Sequence, residues 1–167
     1  MNQRPRIKLE LRPSDKIIEG LGWISVFGIW ILTLLNYFEL PEIIPIHFNG
    51  RGEADGFGGK SNLLSLPIIS TALFFGLTIL NKKPHLFNYP SAITEENALQ
   101  QYTNATRMLR ALKLVIVVIF GLIVLRTIQN VNGTADGLGT WFLPVIMAMI
   151  FIPIIYYLIK ATGKKNK

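Results

Sequence analysis

The sequence predicts an all-α integral membrane protein: a four-helix transmembrane bundle with an ordered extracytoplasmic loop and one long helix extending into the cytoplasm. Three observations predict it. Half of the 167 residues are hydrophobic and only 16% are charged, where a soluble domain carries about 25% charged residues. The apolar residues gather into four segments near the roughly 20 residues that cross a ~30 Å hydrocarbon core. Lysine and arginine flank those segments far more heavily on one side of the proposed membrane than on the other.

The first span, residues 17–38, is apolar except for Glu19, Asn36 and a few hydroxyl residues. Its run is too long for a cleaved signal peptide. Asn36-Tyr37-Phe38-Glu39-Leu40 also offers no small-residue cleavage site, so a retained helix is expected. The second span, residues 62–80, carries no charge. The third, residues 109–128, has an apolar core at Leu114–Leu125. It reaches spanning length if Arg110, Lys113 and Arg126 extend their side chains to the interfaces. Glu19 is expected near a basic residue such as Lys16 or Lys113, and Arg126 is expected to pair with Glu39. The fourth span, residues 140–159, is uncharged, and Pro144 and Pro153 are expected to kink it. Outer loop 39–61 and inner link 81–108 complete a single membrane domain over residues 1–167.

Thr94-Glu95-Glu96 reads as a helix start: a threonine oxygen caps free N–H groups, and acids favour the positive helix end. Nothing breaks the pattern from there to about Gln129, and Ala98, Tyr102, Ala105, Leu109 and Leu112 recur at helical spacing. One helix of about 50 Å is expected, longer than the hydrocarbon core. Its first turns are expected to dock on residues 81–92.

Residues 1–16, the inner link taken through Lys113, and the tail with Lys160, Lys164, Lys165 and Lys167 hold fourteen of the seventeen basic residues; Arg51, Lys60 and Arg126 are the others. Both termini are therefore expected in the cytoplasm, with the chain multi-pass in the cell's inner (cytoplasmic) membrane. The net charge of +7 reads as a topology signal and an attraction to anionic headgroups, so the lipid bilayer is the expected partner. The basic residues flank spans rather than forming a patch interleaved with aromatics, which argues against nucleic acid. With no cysteine, disulfides and zinc–thiolate sites are excluded.

The stretch Asp55-Gly56-Phe57-Gly58-Gly59-Lys60-Ser61 ends like a phosphate loop, but Ala54 stands where the first glycine belongs. Pro41 and Pro45 are expected to break any preceding strand. A glycine-rich turn leading back into the membrane is the better reading.

The outer loop carries Leu40-Pro41, then Ile44-Pro45-Ile46-His47-Phe48-Asn49, then Gly52, Asp55 and Lys60. The inner link carries Phe87-Asn88-Tyr89-Pro90, then Ile93-Thr94-Glu95-Glu96-Asn97, and Tyr102. Together these resemble the signatures of a bacterial membrane domain of unknown function, which also forms the N-terminal half of SdpI-type toxin-immunity proteins. The resemblance implies a helical membrane protein engaged in toxin immunity or its signalling, and no catalytic residues. The candidate ligand- or partner-binding residues are Pro45, His47, Asn49, Gly52, Asp55 and Lys60. The candidate inner-face residues are Asn88, Tyr89, Pro90, Glu96, Asn97 and Tyr102.

The leading expectation is a non-enzymatic module that binds a peptide or protein partner through the outer loop, with no cofactor and no metal. The acids Glu39, Glu42, Glu53 and Asp55 outnumber Arg51 and Lys60 there, which favours a cationic partner. One alternative is a metal-dependent membrane enzyme using His47 with nearby carboxylates; a catalytic zinc needs three protein ligands, and His85 is expected on the opposite face. Another is an accessory subunit of a larger membrane complex. The sequence leaves the oligomeric state open.

Overall fold

The computed structural model describes residues 4–163. Lys164, Lys165 and Lys167 of the basic tail lie outside the described residues. Helix α1 runs Pro13–Tyr37, strand β1 Ile43–Phe48 and strand β2 Ala54–Gly59. A 3-10 turn at Lys60–Leu64 leads into α2, Ser65–Leu80; α3 runs Glu95–Val131 and α4 Phe142–Thr162. Among the described residues four helices, Pro13–Tyr37, Lys60–Leu80, Glu95–Val131 and Phe142–Thr162, are long and apolar enough to cross a membrane. They mark a multi-pass membrane protein.

The loop after α1 corrects the all-α expectation. It folds into an antiparallel hairpin, β1 on β2, and Pro45 lies inside a strand rather than breaking one. A two-stranded ribbon leaves alternate N–H groups of each strand unbonded, so a proline is tolerated there. The register shifts on both sides of His47, the mark of a local bulge.

α3 is the centre of the bundle and packs against α1, α2 and α4. Val26, Phe74 and Val117 bring α1, α2 and α3 together. Gly22 makes this approach possible, because a Cβ there would lie 2.6 Å from the Phe74 ring. Trp23 meets Phe74 edge-on at 5.0 Å. A second cluster joins Ile29, Val124 and Ile128 to Leu40, Ile44 and Leu63, seating the hairpin base on α1 and α3. The outward faces are apolar: Ile24, Leu35 and Ile159 are each more than 60% exposed, the reverse of a soluble bundle and the requirement of a lipid-facing one.

The charged residues of the third span do not reach outward as expected. Lys113 is 2% exposed and Arg110 8%. Lys113 donates to Glu19 Oε1 at 2.6 Å and to Thr78 Oγ1 at 2.7 Å, and its ammonium lies 4.2 Å from the Phe74 ring centre. Arg110 approaches Glu19 at 3.9 Å. One turn earlier on α1, buried Asp15 accepts from Arg107 Nε at 3.0 Å and Nη2 at 3.3 Å. Inside the bundle a charge is tolerated only when paired and hydrogen-bonded. The acids four residues apart on α1 and the bases three apart on α3 form such a set. Lys113 is the partner that Glu19 takes. The expected Glu39–Arg126 pair does not form: Arg126 donates to Gln129 at 3.2 Å and lies over Trp141.

α3 begins with a reciprocal cap, as expected at Thr94. Thr94 Oγ1 accepts the Asn97 N–H, and Asn97 Oδ1 accepts the Thr94 N–H at 2.9 Å. Its 37 residues give about 55 Å, some 25 Å more than the hydrocarbon core. In α4, Pro144 falls in the first turn, where its missing N–H costs nothing.

Removing one member of the buried charge set should leave its partner uncompensated. Lys113→Met is expected to lower stability by about 3–5 kcal/mol, and Glu19→Gln added to it should restore most of the loss. Thermal unfolding of the purified variants in detergent checks both; additive losses would refute the pairing.

Candidate functional site

The hairpin turn is built by Asn49. Its Oδ1 accepts the N–H groups of Arg51 at 2.8 Å and Glu53 at 3.1 Å, and its Nδ2 donates to Glu53 Oε2 at 2.8 Å. Its backbone N–H donates to the Glu53 carbonyl at 2.9 Å, and the Gly52 N–H returns to the Asn49 carbonyl at 2.8 Å. Asparagine favours such a turn because its short side chain bonds the chain two residues ahead.

Gly52 sits buried at the tip with φ +82°, a conformation suited to glycine. Its carbonyl accepts the Leu138 N–H at 2.6 Å. A Cβ on Gly52 would lie 2.7 Å from the Gly139 carbonyl oxygen, and one on Gly137 would collide with the Gly52 carbonyl. The link between α3 and α4 therefore wraps the hairpin tip.

At the hairpin base, Lys60 donates to the Leu40 carbonyl at 3.2 Å, pairs with Glu42 at 3.0 Å and lies 5.6 Å over the Tyr37 ring. Pro45 is buried beside Ile44. Pro45, Asn49, Gly52 and Lys60 thus build and seat the hairpin. His47 and Asp55 remain. His47 Nδ1 lies 2.5 Å from Asp55 Oδ1, with the side chains 70% and 44% exposed. Gly56, opposite His47, leaves room for this: a Cβ there would lie 2.9 Å from that of His47. Ile43, Ile46 and Phe57 are also exposed on the hairpin. Beneath it lies a cavity of about 180 Å³ lined by Ile44, Ile46, Phe48, Asn62, Leu66 and Thr127 among others. Among the described residues no three of His, Asp and Glu come together as a metal set.

The inner-face residues gather at the opposite end of α3. Tyr102 is fully buried and donates to the Pro5 carbonyl at 3.1 Å. Tyr89 donates to the Pro84 carbonyl at 2.8 Å, stacks on Phe87 and packs against Tyr102 at 5.6 Å. Burial, and then Tyr102 beside it, raise the Tyr89 phenol pKa above its ordinary value, so it serves as a donor. Asn97 Nδ2 donates to the Ala92 carbonyl at 2.9 Å. Asn88, Pro90 and Glu96 stay exposed. The link docks on α3 as expected, and the N-terminal segment, unforeseen, joins it.

Two features escaped the sequence reading. The sequence carries no signal that Gly137-Leu138-Gly139 would meet the hairpin tip. The Asp15–Arg107 pair was not foreseen; matching helical spacing of opposite charges was the available signal.

Residues 24–71 match the model of a domain of unknown function (DUF1648). The match takes in most of α1, the hairpin and the start of α2. An uncharacterized protein of Archaeoglobus fulgidus is 35% identical over 91 residues, covering 48% of this chain and 49% of that protein. The chain thus spans about half the length of this curated relative. No solved structure matches.

Asn49→Ala removes three side-chain hydrogen bonds and is expected to cost the hairpin about 1–2 kcal/mol; Gly52→Ala should cost more, through strain and collision. Hydrogen exchange should speed across residues 43–59 in both variants, while that of α3 changes little.

Proposed function

We propose that this protein is a non-enzymatic membrane receptor or adaptor that recognises a peptide or protein partner through its outer hairpin. One observation carries the reading. The architecture uses four of the six outer motif residues and leaves His47 and Asp55 paired at the surface. Exposed Ile43, Ile46 and Phe57 share a braced ribbon with this polar pair, the mixture of apolar and fixed polar groups that recognition surfaces use. Glu42 and Glu53 are answered by Lys60 and Arg51, whereas Glu39 and Asp55 have no lysine or arginine partner among the described residues. A basic, partly apolar segment complements that surface. Toxin immunity or its signalling, the setting implied by the resemblance, would be one form of such recognition. A hydrolytic metal site would need a third ligand beyond His47 and Asp55.

His47→Ala/Asp55→Ala should melt within about 0.5 kcal/mol of the parent, as exposed substitutions do. A photo-crosslinking residue at Phe57 should trap a discrete partner in native membranes, and the double substitution should abolish the adduct. An adduct that persists, or one equally frequent from lipid-facing Leu143, would overturn the proposal.

Orientation has its own test. The chain lacks cysteine, and the Arg51 side chain is 79% exposed. Arg51→Cys should react with a membrane-impermeant maleimide in intact cells; reaction only after lysis would place the hairpin inside.

A further inference from the structure

At the end of the bundle opposite the hairpin lies an open cleft of about 390 Å³, lined by Arg4, Arg6, His85 and Leu86. Arg4 is held in place there. Its Nη1 donates to the carbonyls of Phe87 at 2.6 Å and His85 at 3.1 Å, and its guanidinium lies 5.7 Å over the Tyr89 ring. Phe87 stacked on Tyr89 and Tyr102 packed against it fix that anchor, and the Tyr102–Pro5 bond fixes the backbone beside it. Among the described residues neither Arg4 nor Arg6 has a carboxylate within 4.0 Å. The lining contains no acid. It contains two guanidinium groups and an imidazole, a donor set suited to phosphate oxygens.

The depth of the cleft narrows the source of the phosphate. His85 and Leu86 follow Leu80, the last residue of apolar α2, by five and six residues, so the cleft lies just past the end of a span, where the headgroup layer begins. Leu86, 60% exposed, gives it an apolar rim. Lys8, Lys82 and Lys83 are exposed on the adjoining segments and disfavour a cationic occupant.

We propose that this cleft is a binding site for the phosphate of an anionic phospholipid headgroup, with Arg4 and Arg6 as its principal ligands and His85 as a further donor. The lipid would join the N-terminal segment, the inner link and the start of α3, which converge there.

The test uses the full chain purified in detergent, with thermal unfolding followed while short-chain phosphatidylglycerol, phosphatidylcholine or inorganic phosphate is added. Phosphatidylglycerol should raise the melting temperature saturably, and phosphatidylcholine much less. Arg6→Gln should weaken the phosphatidylglycerol response about tenfold, the effect of one charge-assisted hydrogen bond. Arg6 makes none of the contacts that hold Arg4, so this variant should fold as the parent does. Lys82→Gln/Lys83→Gln, which removes two charges outside the cleft, should leave the response nearly intact. Equal losses in the two variants would reduce the effect to diffuse attraction and overturn the site. A stronger response to inorganic phosphate than to the lipid would overturn the lipid assignment.

Discussion

The fold depends on the charges buried between α1 and α3. Asp15 meets Arg107, and one turn further along Glu19 meets Lys113, with Arg110 beside it. The pairs occur in the same order on both helices, so α1 and α3 run parallel. A slip of either helix by one turn would strand a carboxylate opposite apolar side chains, which a low-dielectric interior penalises by several kcal/mol per ion. The set therefore fixes register more than it adds stability. Parallel helices also end at the same side of the membrane. That brings the loop after α1 and the link after α3 together, and makes the Gly52–Leu138 contact possible.

α3 couples the two ends of the molecule. Its last turns support the hairpin through Val124 and Ile128, and its first turns hold the aromatic knot through Tyr102. No proline or glycine cluster interrupts it, so a tilt imposed by the hairpin is also a displacement at Tyr102. The buried charge set lies between these ends.

Much of this was legible in the sequence. The four apolar segments fixed the helices, and Thr94 with its acids marked the start of α3, because span length and capping are local properties. The hairpin was hidden by Pro45: a proline reads as a strand breaker unless the strand belongs to a two-stranded ribbon. The charge set was half visible. Glu19 suggested a partner, but Arg110 and Lys113 read as residues that reach for the interface, since a sequence does not show which helix face a neighbour covers. The motif residues drew attention as candidate binding groups, yet their types carried a second message. Proline, asparagine and glycine in a loop report backbone geometry first, and that is how Pro45, Asn49 and Gly52 are used. His47 and Asp55 have no such duty, which is why they bear the functional reading.

The remaining surface charge divides along the bundle. At the hairpin end Glu39, Glu42, Glu53, Asp55 and Asp136 outnumber Arg51, Lys60 and Arg126; among the described residues of the other end, eleven lysines and arginines face five acids. Internal pairing removes similar numbers of both signs at each end, so the imbalance survives at the surface. A field of opposite sign at the two ends favours different partners there: a basic segment at the hairpin, and anionic headgroups around Arg4 and Arg6. Lipid at one end would brace the start of α3, and a partner at the other would load its last turns. The same helix would then feel both, and the charge set midway would determine how much of one is transmitted to the other.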